Sequence, residues 1–109
     1  MGQIIVHHHY TPNYSDFKFA TDGKYEGDIV NGKKHGTGEM RYTNGNTYSG
    51  EWQDDKKNGL GGMYYADGCS NYEGSWKNDE YEHGVLLNRR SNTLTMYKNN
   101  QAFHVISTK

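Results

Sequence analysis

The chain repeats itself every 23 residues. Tyr25-Glu26-Gly27-Asp28-Ile29 is followed at that interval by Tyr48-Ser49-Gly50-Glu51-Trp52. Gly36-Thr37-Gly38-Glu39-Met40-Arg41-Tyr42 is followed at the same interval by Gly59-Leu60-Gly61-Gly62-Met63-Tyr64-Tyr65. A third copy opens at Tyr72-Glu73-Gly74-Ser75-Trp76 and reaches His83-Gly84. A fixed period of this length means that one supersecondary unit is laid down repeatedly, each burying its face against its neighbours.

The unit is a hairpin. Tyr48, Gly50 and Trp52 fall at every second position, as do Gly59, Gly61, Met63 and Tyr65. That alternation is strand periodicity, and the polar link Gln53 to Asn58 joins the two strands. The inward rows mix glycine with large rings. Because glycine has no side chain, a ring from a neighbouring strand can lie flat over its backbone. Tyr48, Trp52, Met63, Tyr65, Tyr72 and Trp76 are therefore expected to hold the sheet and line one face.

These residues resemble the MORN family, whose unit reads roughly YxGxW, a polar link ending in HG or NG, GxGxMxY and a D/N-G turn. Copies one and two match at nearly every marked position, with Ile29 in place of Trp; copy three matches through Gly84. The resemblance covers about residues 25 to 84. It implies an all-β fold, a single-layer antiparallel meander of hairpins, elongated and twisted. It also implies a non-enzymatic scaffold or adaptor that binds a protein partner, a helix or extended segment, within a larger cytoskeletal, ciliary or membrane-associated assembly. Some such segments accompany a kinase or methyltransferase domain, for which this chain has no room.

Composition agrees with a thin sheet. Hydrophobic residues make up only 32% of the 109, whereas aromatics reach 14%, with ten Tyr. Too few Leu, Ile and Val are present for a thick two-layer core. Fourteen glycines against one proline would suit disorder, but here the glycines are periodic. Net charge is −1 with the signs interspersed, which argues against a general nucleic-acid binder. The single Cys69 forms no intrachain disulfide and suits a reducing compartment. With no apolar run of about 18 residues to span a membrane, and neither secretory signal nor Arg-rich leader evident, the expectation is an intracellular protein. Cytoplasmic, cytoskeletal or ciliary sites fit, and a mitochondrial one stays open.

In chain order, residues 1–16 read as an arm, with a short strand at Gln3 to Val6. His7, His8 and His9 could bind metal, be a purification remnant or be polar surface; adjacent strand residues alternate faces, so three cannot converge on one ion. Val6 departs from the myristoylation pattern that Gly2 opens, and Asn13-Tyr14-Ser15 is a sequon that matters only in a secreted chain. Residues 17–92 read as the repeat sheet: a partial copy at 17–24, with Phe19 in the place of Tyr42, then copies starting at 25, 48 and 72. Asn31-Gly32 turns the first hairpin, and copy two turns at Asn58-Gly59 or just before. One inserted residue widens the connection around Cys69, Ser70 and Asn71. Copy three carries one further residue before Gly84, which places Leu86 at the second glycine position. Residues 93–109 read as a closing hairpin around Lys98 to Gln101.

No catalytic constellation emerges. Cys69 has no His nearby in sequence, and His35 and His83 both precede a repeat glycine. Asp54-Asp55 and Asp79-Glu80-Tyr81-Glu82 lie in hairpin links as solvated acids. No zinc spacing, P-loop or GxSxG occurs, so neither enzyme activity, metal nor cofactor is expected.

Two surfaces are candidates for binding. Lys33-Lys34 and Lys56-Lys57 recur at one place in successive copies and could form a cationic patch for anionic phospholipid, at the lower limit of the about four to eight basic residues such recognition takes. The face opposite the rings is polar in copy one, with Glu26, Asp28, Thr37, Glu39 and Arg41. In later copies it carries Leu60, Tyr64, Val85 and Leu87. Such a cluster must be covered or must bind something. Phe103, Val105 and Ile106 could cover it from within the chain, or a protein partner could. The expected partner-binding set is thus Tyr48, Trp52, Leu60, Tyr64, Tyr72, Trp76, Val85 and Leu87. Exposed edge strands also allow an end-to-end homodimer.

Overall fold

The computed structural model describes residues 17–20 and 22–107. The readings made for the N-terminal arm lie outside them. Among the described residues, nine strands form one antiparallel sheet in strict chain order. They are β1 Phe17–Ala20, β2 Gly23–Val30, β3 Lys33–Tyr42, β4 Thr47–Gln53, β5 Lys56–Tyr64, β6 Ser70–Lys77, β7 Glu80–Asn88, β8 Thr93–Lys98 and β9 Gln101–Ser107. No helix occurs among these residues, and the sheet stays open. The molecule is elongated, 46 × 28 × 26 Å.

Two rows of residues run across the sheet and hold it together. In one, Tyr25, Met40, Tyr48, Met63, Tyr72 and Leu86 face one another from strand to strand. Two residues along lies the second, an unbroken glycine track of Gly27, Gly38, Gly50, Gly61, Gly74 and Gly84. Each tyrosine ring lies over the track. A methyl group on Gly38 would stand 2.1 Å from the Tyr25 hydroxyl, and one on Gly61 would stand 2.2 Å from that of Tyr48. Only hydrogen fits there. The three hydroxyls then donate to backbone carbonyls three residues ahead: Tyr25 to Asp28 (2.8 Å), Tyr48 to Glu51 (2.9 Å) and Tyr72 to Ser75 (3.0 Å).

Tryptophans lock each hairpin onto the one before it. Trp52 Nε1 donates to the Gly38 carbonyl at 3.1 Å, and Trp76 Nε1 to that of Gly61 at 3.0 Å. Their rings stand edge-on to the tyrosines, Trp52 at 5.6 Å from Tyr25 and 4.9 Å from Tyr48, Trp76 at 5.3 Å from Tyr48 and 5.0 Å from Tyr72. Edge-to-face pairs at such spacing add to what ring burial alone contributes. Tyr81 stacks flat on Tyr72 at 3.8 Å, and Tyr97 meets Tyr81 edge-on, ending the ladder.

Register corrects three expectations. Copy two turns at Asp54-Asp55, both at positive φ (49° and 71°), so the two-residue turn comes before Lys56 rather than near Asn58. Asp tolerates this conformation better than most non-glycine residues. In copy three, Gly84 pairs with Gly74 as Gly61 pairs with Gly50. Gly84 is therefore the second glycine of its unit and Leu86 takes the methionine place. The hairpin is one residue shorter, not longer. Three residues oppose Glu51 in the bulge of copy two, and only two oppose Ser75 in copy three. The positive-φ bulge glycines, Gly36 (69°) and Gly59 (101°), consequently have no counterpart in copy three. At the N-terminal end, Lys18 pairs with Tyr25 as Met40 pairs with Tyr48, so β1 is one residue out of the register that equates Phe19 with Tyr42.

Candidate binding surface

The ring face is spent on the core. Tyr48 and Tyr72 are fully buried, and Trp52 and Trp76 are 4% and 3% exposed. These four of the eight expected partner-binding residues are closed to a partner, because rings that bury one another leave no area for a second molecule. Burial also pushes the Tyr48 and Tyr81 phenols up from their usual range, and that of Tyr72 to about 12.

Lysines close the ring face, a role their repeat spacing signalled and the sequence reading gave to lipid. Lys34 Nζ sits 5.0 Å from the Trp52 ring centre, and Lys57 Nζ 5.4 Å from that of Trp76. Their ammonium groups reach Asp55 at 3.6 Å and Asp79 at 3.2 Å. Cation–π contact and ion pairing thus engage two of the four lysines. Lys33 and Lys56 remain exposed and share a shallow hollow with Asp54. The four ammonium groups are not arrayed together toward solvent.

Asp55 and Asp79 do more than solvate a link. The Asp55 carboxylate accepts the Lys34 N–H at 2.8 Å while its own N–H donates to the Lys34 carbonyl at 2.9 Å. Asp79 does the same to Lys57, at 2.8 and 3.0 Å. Each hairpin tip clasps the tip before it. Asn100 continues the series, its N–H donating to the Glu82 carbonyl.

The outer face divides into two halves. Its N-terminal half is charged: Glu39, only 6% exposed, accepts a hydrogen bond from Arg41 Nε at 2.5 Å. This bond raises the Arg41 pKa. The C-terminal half carries two apolar groups. Leu60 is 67% and Tyr64 46% exposed on β5, and Val85 and Leu87 are half-buried on β7, with Asn71, Glu73 and Ser75 of β6 between them on the same face. Register extends the second group beyond what the sequence suggested. Leu87 pairs with Leu94 and Leu94 with Ile106, while Val85 pairs with Met96. The C-terminal hairpin therefore lies beside the apolar cluster, in the same sheet, and does not fold over it. Coverage by Phe103, Val105 and Ile106 is ruled out by this pairing, and those three side chains are themselves 61%, 57% and 39% exposed. Tyr64 is oriented by Glu73, which accepts its hydroxyl at 2.6 Å and lifts its pKa to about 12.

Among the described residues no group of three or more His, Cys, Asp or Glu side chains could hold a metal ion. No helix there is long and apolar enough to cross a membrane. The family model described as MORN repeat matches residues 25–47, 48–70 and 72–82, just over half of the chain. No curated protein matches it.

Proposed function

Since this chain belongs to the MORN-repeat family, we propose that it is a non-enzymatic scaffold or adaptor holding a protein partner within a larger assembly. The partner docks on the C-terminal half of the outer face. One observation carries this reading: Leu60 and Tyr64 stand exposed on β5, across the polar row Asn71, Glu73 and Ser75 of β6 from Val85 and Leu87, and among the described residues the C-terminal hairpin leaves them open. Exposed apolar side chains set among polar ones are the usual composition of a docking surface. Tyr64 suits an anchoring part, with large area and few rotatable bonds, its hydroxyl already fixed on Glu73. The ring face, whose aromatics bury one another, provides rigidity instead.

Phospholipid binding through lysine pairs is the weaker reading, because Lys34 and Lys57 are engaged by Asp55, Asp79 and the rings. The test pairs two variants. Leu60→Asp/Tyr64→Asp is expected to abolish capture of native partners with unchanged circular dichroism. Lys33→Glu/Lys56→Glu is expected to leave capture intact, and neither protein should float with anionic liposomes at physiological salt. Undiminished capture by the Leu60/Tyr64 variant would remove the outer face from consideration.

A further inference from the structure

One part of the ring face stays open. In copies one and two a lysine closes it: Lys34 faces Ile29 and Lys57 faces Trp52 across their hairpins. In copy three Tyr81 stands in that place, facing Trp76. Its ring lies flat on Tyr72, and its hydroxyl meets that of Tyr65. Between this pair and the β3–β4 and β5–β6 connections lies an open hollow of about 600 Å³, lined by Tyr65, Tyr81, Leu86, Ala66, Asn44 and Asn46. That size is usual for a ligand site. Asp67 is the one charged residue among those described around it.

The hollow offers donors and few acceptors. Two hydroxyls that share one hydrogen bond leave one proton unspent, and neither phenol has a further partner among the described residues. Burial raises both phenols from their ordinary range, so both hold their protons at neutral pH. The Asn46 side-chain carbonyl accepts the Ala66 N–H at 2.8 Å, and that of Asn44 accepts the Asn46 N–H at 2.9 Å, which leaves their NH2 groups to offer. Asp67 is taken up by the N–H groups of Cys69 and Ser70 and by the Ser70 hydroxyl. An ordinary extended peptide would bring N–H groups to oxygens already engaged. Proline brings a carbonyl and no N–H, on an apolar ring. Aromatic grooves take such segments because the polyproline II helix is ordered before binding. We propose that this hollow binds a proline-rich segment of another protein, its prolines against Tyr65, Tyr81 and Leu86 and one of its carbonyls accepting the spare phenol proton. The Tyr81 ring is fixed beforehand, by its stack on Tyr72 and by Tyr97 edge-on at 4.9 Å.

A fluorescent decaproline peptide titrated with the full chain and read by anisotropy tests this apart from the outer face. Wild type is expected to bind it with a Kd tighter than about 1 mM and to ignore a Gly-Ser peptide of equal length. Amide NMR shifts should fall on Asn46, Tyr65, Ala66 and Leu86 and leave Leu60 and Leu94 unmoved. Tyr65→Phe/Tyr81→Phe keeps both rings and removes both hydroxyls, so it should weaken binding at least about tenfold, which corresponds to roughly 1.4 kcal/mol. Either single change leaves one free phenol proton, so most of the affinity should remain. Leu60→Asp/Tyr64→Asp should bind the peptide as wild type does. The proposal is overturned if wild type fails to bind at about 1 mM peptide, if the Gly-Ser peptide binds equally, or if the shifts fall on the outer face. Full affinity in a folded double Phe variant overturns it too, and should that variant unfold, the shift map of wild type decides alone.

Discussion

A single hydrogen atom decides whether a tyrosine can lie on this sheet. At Gly61 an added methyl would meet the Tyr48 hydroxyl at 2.2 Å and its Cζ at 2.5 Å. The ring cannot retreat, because Trp52 and Trp76 stand edge-on at 4.9 and 5.3 Å. Gly61→Ala is therefore expected to destabilise by about 3 kcal/mol or more, the upper end of overpacking costs. Gly68 gives the contrast. It has nothing within 4 Å but a φ of +73°. There Gly68→Ala should cost only the left-handed backbone penalty of roughly 1–2 kcal/mol. Urea midpoints of the two variants rank them; equal losses would mean that the ring–glycine contact is not what limits the site. This contact was readable from the sequence, because alternation fixes which residues share a face. Which glycine of each pair carries the ring was not. One glycine accommodates the bulge backbone and the other accommodates the ring, and both appear as the same letter.

Between elements, the hairpins are joined by tips as well as by strands. Asp79 links β6 and β7 to β4 and β5 through Lys57, by one carboxylate–amide bond, one amide–carbonyl bond and one ion pair. The charge is half-exposed, so the ion pair itself contributes little. Asp79→Asn keeps an acceptor and tolerates the φ of 71°, and should cost less than about 0.5 kcal/mol. Asp79→Ala loses the acceptor and strains the turn, and should cost about 1–2 kcal/mol. Chemical denaturation at low and high salt separates the two; equal losses would make the ion pair the dominant link. Sequence reading treated these aspartates as solvated because a clasp between tips 22 residues apart leaves no local pattern. The spacing was visible in Lys34 and Lys57, which recur at the repeat interval, but the rings beneath them were needed to give it meaning. Similarly, one missing residue in copy three displaced Gly84 by one step in a comparison made by counting. Only the pairing of Gly74 with Gly84 restored the alignment.

For the molecule as a whole, the phenols make stability depend on alkaline pH. Burial raises Tyr42 and Tyr72 to about 12 from an ordinary value of 10.0. Tyr48 and Tyr81 move in the same direction. A raised folded-state value means that the native protein holds a proton the unfolded chain releases. That stability is complete below about pH 10 and is lost as pH rises toward 12. Tyrosinate absorbance and circular dichroism are expected to change together there, in one cooperative step. Ionisation of most tyrosines near pH 10 with the sheet intact would place the rings in water.

The indole bonds run in one direction only: Trp52 reaches back to Gly38, and Trp76 reaches back to Gly61. The first and second units are thus each finished by the unit that follows. A nascent chain leaving the ribosome should hold its newest hairpin half-closed until the next tryptophan emerges. Shortening such a protein from its C-terminal end should loosen the last remaining unit, whereas trimming from the front should leave the following units sealed.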